Sequence, residues 1–222
     1  MSDMQKRVVM TLVGVTLGGF SVGLFNASLF GMDPFQVFVH GIWPASLIGF
    51  GLFYMLVNLL MLVVIFLVDK TKIGICTFIN IFLLGYVVEF SSWLAFRIWP
   101  DPSLLTRIAL LAVAVVVMCF GSALYYVGDL GVSTYDAIAL IISEKKPWPF
   151  AVVRVVSDVI CTTIGVFFGA IFGVGTVITA FFMGPLISLF RVKVAHPLRY
   201  GKASSVSTVI KTEYHYDRPP KD

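Results

Sequence analysis

Gly121–Ala137 reads GSALYYVGDLGVSTYDA, and a degenerate copy of it, SVGLFNASLFGMDPFQV, occupies Ser21–Val37. In that register Leu24 meets Leu124, Phe25 meets Tyr125, Gly31 meets Gly131, Phe35 meets Tyr135 and Gln36 meets Asp136. A second pair of blocks follows in the same order. Lys72–Phe90 (KIGICTFINIFLLGYVVEF) aligns with Phe172–Phe190 (FGVGTVITAFFMGPLISLF), pairing Gly74 with Gly173, Thr77 with Thr176 and Gly85 with Gly184. Two matched blocks at nearly one offset describe a single unit written twice.

What surrounds the blocks sets the class. The chain is 59% hydrophobic and 13% charged with a mean hydropathy of +0.96, whereas soluble domains carry roughly 25% charge. Apolar runs close to the roughly 20 residues that cross a bilayer recur along it, which specifies an all-α polytopic membrane protein. The expected spans are 8–29, 45–68, 73–96, 104–128, 150–171 and 172–190. They group as a cytoplasmic head (1–7), a first three-helix repeat (8–96), an external loop (97–103), a second repeat (104–190) and a flexible basic cytoplasmic tail (191–222). The first run reads as a retained span rather than a signal peptide, having no early small-residue cleavage site.

Each copy of the opening motif interrupts the chain. Gly31 and Gly131 suit the left-handed conformation that closes a helix, while Asp33 and Ser133 suit caps for a new one and Pro34 and Thr134 its first turn. Short interfacial helices are therefore expected after spans 1 and 4, over 34–40 and 133–143. The Gly14/Gly18 and Gly19/Gly23 spacings read as a packing face, within the chain or in a homodimer.

Topology follows from charge. The head, the 70–72 turn, the 145–146 turn and the tail hold 13 lysines and arginines, against Arg97 and Arg107 in the opposite loops. The positive-inside rule places both termini in the cytoplasm, in a cell membrane. An odd number of spans per repeat then inverts the second copy, an architecture frequent in secondary transporters and found also in channels.

Ionisable and amide side chains inside apolar runs are the candidate site. Arg154 and Asp158 are four residues apart and share a helix face, so they form either a structural ion pair or part of a solute site. Arg154 is also near enough to the turn to snorkel to the surface. Asn58 is equivalent to Asp158 between the repeats, so the two are expected to converge near a pseudo-two-fold axis. Asn80, Glu89, Asp129 and Asp136 complete the candidates, with Glu89 a partner for Arg97 and the two aspartates as helix caps. The breaks at Gly31/Pro34 and Gly131/Thr134 supply ligands at membrane depth, or serve as connectors at the interface.

The three cysteines are dispersed and the histidines lie outside the spans. No hydrolase, metalloprotease or nucleotide-binding motif has its required context. No catalytic residue, metal or cofactor is expected, nor a nucleic-acid partner. The implied partners are lipid and a small solute or ion.

The loop pair FGMDPFQ (Phe30–Gln36) and LGVSTYD (Leu130–Asp136), with the later GVGTVITAFFMGP (Gly173–Pro185), resembles the YczE/YyaS/YitT group of bacterial integral membrane proteins. The resemblance implies an inner-membrane location and a transporter-like role without a settled activity. The motif's usual tryptophan is replaced by Phe35 and Tyr135, and Gln36 stands where Asp136 keeps the acid. Two readings result: a small transporter or permease working by alternating access, or a membrane scaffold binding a partner through its tail.

Overall fold

The structure is a computed structural model describing residues 2–70, 73–148 and 150–201. Every regular element among them is helical. In chain order these are α1 (Asp3–Ser28), α2 (Pro34–Ile42), α3 (Phe50–Val68), α4 (Ile75–Ile98), α5 (Leu104–Gly128), α6 (Thr134–Lys145), α7 (Phe150–Phe167) and α8 (Val174–Tyr200). Five of them, α1, α3, α4, α5 and α8, are long and apolar enough to cross a membrane. The expected fifth span, α7, is shorter, carries Arg154 and Asp158, and stands outside that set. Large apolar side chains such as Leu60, Phe66, Leu105 and Phe167 face outward, as a hydrocarbon solvent favours and water does not.

Several boundaries differ from expectation. The polar head is helical from Asp3, because Ser2 and Gln5 form a reciprocal capping box that satisfies two otherwise orphan amides. The last helix does not stop at Phe190. It continues through a π-helical turn, Arg191–Ala195, to Tyr200. Val192 and Ala195 are buried there, and Arg199 donates to the Val127 carbonyl at 2.6 Å. Helix therefore covers the first ten residues that composition assigns to the tail; residues 202–222 lie outside the described set.

α1 is the central helix, packed along α5 on one side and α4 on the other. Gly14 makes the first contact possible, since a Cβ there would lie 2.6 Å from the Gly121 carbonyl oxygen. Gly23 makes the second, its missing Cβ taken by Ser91. These glycines are spent within the chain. Gly18, expected on the same packing face as Gly14, has its backbone nitrogen near Gly121, but a Cβ there would meet nothing and the residue lines a cavity.

The two chain breaks are built alike. α1 ends with Leu29 at φ 57° and α5 with Asp129 at φ 51°, each followed by a positive-φ glycine, Gly31 at 87° and Gly131 at 109°. An arginine caps each end. Arg107 Nε donates to the Ser28 carbonyl at 2.8 Å, and Arg7 Nε to the Gly128 carbonyl at 2.9 Å. A guanidinium is suited to this because the last turn of a helix presents unpaired carbonyls and partial negative charge. Arg7 and Arg107 thus have equivalent structural jobs.

The short helices are packed into the bundle. Pro34, Phe35, Gln36, Val37 and Val39 are buried, with α2 packed on α7 and α6 on α3. His40 Nε2 accepts from Asn26 Nδ2 at 3.2 Å, so α2 runs back toward the end of α1. The stretch that dips inward is irregular backbone, tolerated at depth only where protein satisfies it. The start of the opposite half does so: Gly175 N donates to the Phe30 carbonyl at 2.7 Å and Cys76 N to the Leu130 carbonyl at 2.9 Å.

Candidate functional site

The N-termini of α2 and α6 meet. Phe35 and Tyr135, each one residue inside its helix, stack with ring centroids 4.9 Å apart and planes at 21°. Around this pair lies a cavity of about 360 Å³, bounded by α1, α3, α4, α5, α7 and α8 as well as the two short helices.

Three consecutive residues of α6 make its polar contacts. Thr134 Oγ1 donates to Asn58 Oδ1 at 2.5 Å on α3, and Asn58 Nδ2 donates to the Tyr54 carbonyl at 2.8 Å one turn earlier. Tyr135 donates through its hydroxyl to Asp158 Oδ1 on α7 at 2.7 Å. Asp136 pairs with Arg154 of α7, while its own backbone amide and Oδ2 engage Ser133 Oγ at 3.1 and 2.8 Å. The cap of α6 is therefore Ser133, and the Asp136 carboxylate, expected as a cap, instead pairs with Arg154 and accepts from the cap's hydroxyl.

Arg154 binds the site together. Its Nε lies 3.5 Å from Asp158 Oδ1, its Nη1 donates to Asp136, and its guanidinium carbon is 4.4 Å from the Tyr135 ring centroid. The planar fork of arginine can serve two carboxylates and a π-face at once, which an ammonium cannot. The side chain points into the bundle, so the snorkelling expectation is corrected. Two nearby acids are a stronger draw than a distant surface.

α2 contributes differently. Asp33 Oδ1 accepts from the Phe35 amide at 3.0 Å as the helix cap, and the residue lines the same cavity. It lies within electrostatic range of both Arg154 and Asp158. Gln36 also lines the cavity, is 4% exposed, and its Oε1 has no hydrogen-bond partner.

Of the residues singled out from the sequence, Asn58, Asn80, Asp136, Arg154 and Asp158 line the cavity. Asn58 and Asp158 are joined through the adjacent Thr134 and Tyr135. Gly31, Pro34, Gly131 and Thr134 are not in the lining: the glycines pack against Gly173 and Gly74, Thr134 holds Asn58, and Pro34 is the first residue of α2. Glu89 and Asp129 sit elsewhere. Glu89 Oε2 accepts from the Gly51 amide at 2.9 Å, capping α3, which a helix N-terminus favours over a flexible surface arginine. Arg97 instead lies over the Trp93 ring. Asp129 is an exposed C-cap beside Arg7. Asp33, Gln36, Tyr54, Tyr126 and Tyr135 are cavity residues that sequence reasoning passed over as site candidates. For Asp33 a signal existed, because it aligns with Ser133 at the motif's capping position.

Residues 5–192 match a family described as "Family of unknown function (DUF6198)". The chain belongs to that family and is a helical, membrane-like protein of it. It is also similar to an "Uncharacterized protein" of Haemophilus influenzae, 24% identical over 121 residues, a stretch covering 54% of each chain. The chain thus spans about half the length of that relative. No solved structure matches.

Proposed function

We propose that the protein is a small secondary transporter of a polar solute or ion, built as six spans in a 3+3 inverted repeat and working by alternating access. One observation carries the reading. A cavity holding Asp33, Asp136, Arg154 and Asp158 lies where the N-termini of two interrupted helices converge, inside a bundle whose outer surface is apolar. Charge at that depth is expensive and marks solute or ion pathways, and interrupted helices meeting at a repeat interface are where transporters place their sites. The paired breaks, paired arginine caps and reciprocal loop contacts support the repeat, and the motif resemblance to the YczE/YyaS/YitT group points the same way. Both termini are proposed to face the cytoplasm of a bacterial cell, following the lysine and arginine distribution.

Arg154 is the link between two helices of the second repeat in this scheme. It joins α7 to α6 through Asp136, and Asp158 on its own helix offers a second partner when that contact opens. The test is counterflow into proteoliposomes across a panel of metabolites and ions. Uptake of the active solute is expected to fall about tenfold or more in Asp158→Asn, the scale of a lost buried charge contact. Wild-type uptake by Asp158→Asn and Asn58→Ala would overturn the assignment.

A further inference from the structure

The charges of the cavity do not balance, and the imbalance names a solute class. Arg154 is matched by Asp136 and Asp158, both in contact with it. Asp33 is a third carboxylate on the same cavity, with backbone amides of the first turn, Phe35 and Gln36, as its hydrogen-bond donors. The N-termini of α2 and α6 each add about half a positive charge. Against three carboxylates and one guanidinium, these leave an excess of about one negative charge. Isolated charge in an apolar interior calls for a counter-ion.

A second, independent observation points the same way. Gln36 lines this cavity from the first turn of α2, and its Oε1 is buried without a hydrogen-bond partner. It is a hydrogen-bond acceptor in want of a donor. Phe35, Tyr54 and Tyr126 are aromatic members of the cavity lining. Such faces attract cations: Tyr135 carries the Arg154 guanidinium and Tyr126 that of Arg191, which leaves Phe35 and Tyr54. Anions find the helix N-termini filled by the protein's own acids. Among the described residues no three acids, histidines or cysteines are grouped to hold a metal ion. The volume of about 360 Å³ is roughly a dozen times the 30 Å³ share of a liquid water, room for an organic body and not only an ion.

We infer that the cavity binds a small organic monocation bearing a primary ammonium, paired to Asp33 and donating to Gln36 Oε1. This deepens the transport reading, resting on it only in taking the cavity as the solute site. Asp33 supplies charge, Gln36 selects for an N–H over a fully substituted nitrogen, and the aromatic walls hold the carbon body.

Thermal unfolding of the purified full chain in detergent tests this with butylammonium, tetramethylammonium, butanol and butyrate at matched ionic strength. A ligand that binds only the folded state raises the midpoint with concentration. Butylammonium is expected to stabilise most. Asp33→Asn weakens its apparent affinity about tenfold or more, Gln36→Leu removes the preference over tetramethylammonium, and Asp129→Asn, outside the cavity, changes neither. Should Asp33→Asn not fold, Gln36→Glu supplies the readout by tightening butylammonium. Equal or larger stabilisation by butanol or butyrate overturns the inference, as does unchanged affinity in Asp33→Asn or Gln36→Glu. Selective butylammonium binding without counterflow of any solute overturns transport and leaves the cation site standing. Counterflow of a neutral or anionic solute that butylammonium does not inhibit overturns the cation assignment and leaves transport standing.

Discussion

The two short helices share a backbone plan and divide the chemistry. α6 is wired to its surroundings by polar bonds, its Thr134, Tyr135 and Asp136 reaching Asn58, Asp158 and Arg154. α2 at the equivalent positions offers Pro34, Phe35 and Gln36, whose side chains make no such links to α3 or α7. It is seated by shape instead. A Cβ on Gly165 would overlap the Val37 carbonyl, so the α2 and α7 backbones touch. The acid has not been lost from α2 but moved. α2 has Asp33 at its cap and Gln36 three residues on, whereas α6 has Ser133 and Asp136. Each helix keeps one carboxylate at its positive end, and only that of α6 is tied to Arg154. The lesson is that an approximate two-fold can hold backbone geometry fixed while one copy is anchored and the other left with free polar groups facing a cavity.

The largest effect that would break this contrast is expected from Arg154→Ala. Removing one partner of a buried ion pair strands the others, at roughly 3 kcal/mol or more, so the detergent-solubilised variant should unfold at a clearly lower temperature. Arg154→Lys should recover part of the loss. If Arg154→Ala is as stable as wild type, α6 is not anchored through its acid. Next is Gly131→Ala, expected to cost roughly 2 kcal/mol. The position has φ 109°, and the three nearest atoms to an added Cβ are all Gly74 backbone, the closest at 2.7 Å. Gly31→Ala meets Thr176 Oγ1 as well as backbone and should cost less, because a hydroxyl can rotate away. The same melting curves decide the order.

A smaller change sharpens the polar half of the comparison. Tyr135→Phe deletes the 2.7 Å bond to Asp158 and should cost about 1.5 kcal/mol, the low end for a bond to a charged group. Phe35→Tyr at the equivalent place should bring no matching gain. The smallest effect belongs to the caps. Asp33→Ala should lose about 1 kcal/mol, while Asp33→Ser, itself a good N-cap, should stay within about 0.5 kcal/mol of wild type. A large loss in Asp33→Ser would mean that the Asp33 charge stabilises the fold, contrary to its place in an already acidic cavity.

The breaks were legible because a glycine able to take positive φ and a capping residue leave a local signature that both copies carry, to which the first adds a first-turn proline, Pro34. Arg154 and Asp158 were legible for the same reason, being four residues apart on one helix. Contacts between helices were not. Asp136 and Arg154 are 18 residues apart, on separate helices whose crossing no local pattern specifies, so Arg154 was paired with Asp158 or the nearest surface and not with Asp136. Glu89 was assigned by sequence proximity to Arg97, yet it reaches the amide of Gly51, 38 residues away. The helical stretch to Tyr200 was read as tail because its lysine and arginines dominate composition, while the burial of Val192 and Ala195 depends on α5 being alongside. Gly18 shows the limit of spacing rules: its repeat with Gly14 is real, but one faces a helix and the other a cavity.

The reciprocal contacts of the two loops set a clock on biosynthesis. The carbonyls of the Phe30–Met32 stretch await the start of α8, and the bond from Thr179 to Met32 spans 147 residues. At ribosomal speeds of about 5 to 20 residues per second, roughly 10 to 30 s pass between the emergence of one partner and the other. Throughout that interval the carbonyls of the first loop lack their protein donors and must be kept in water or sheltered by the insertion machinery. The first half of the chain is accordingly expected to complete its fold only when the last helix arrives.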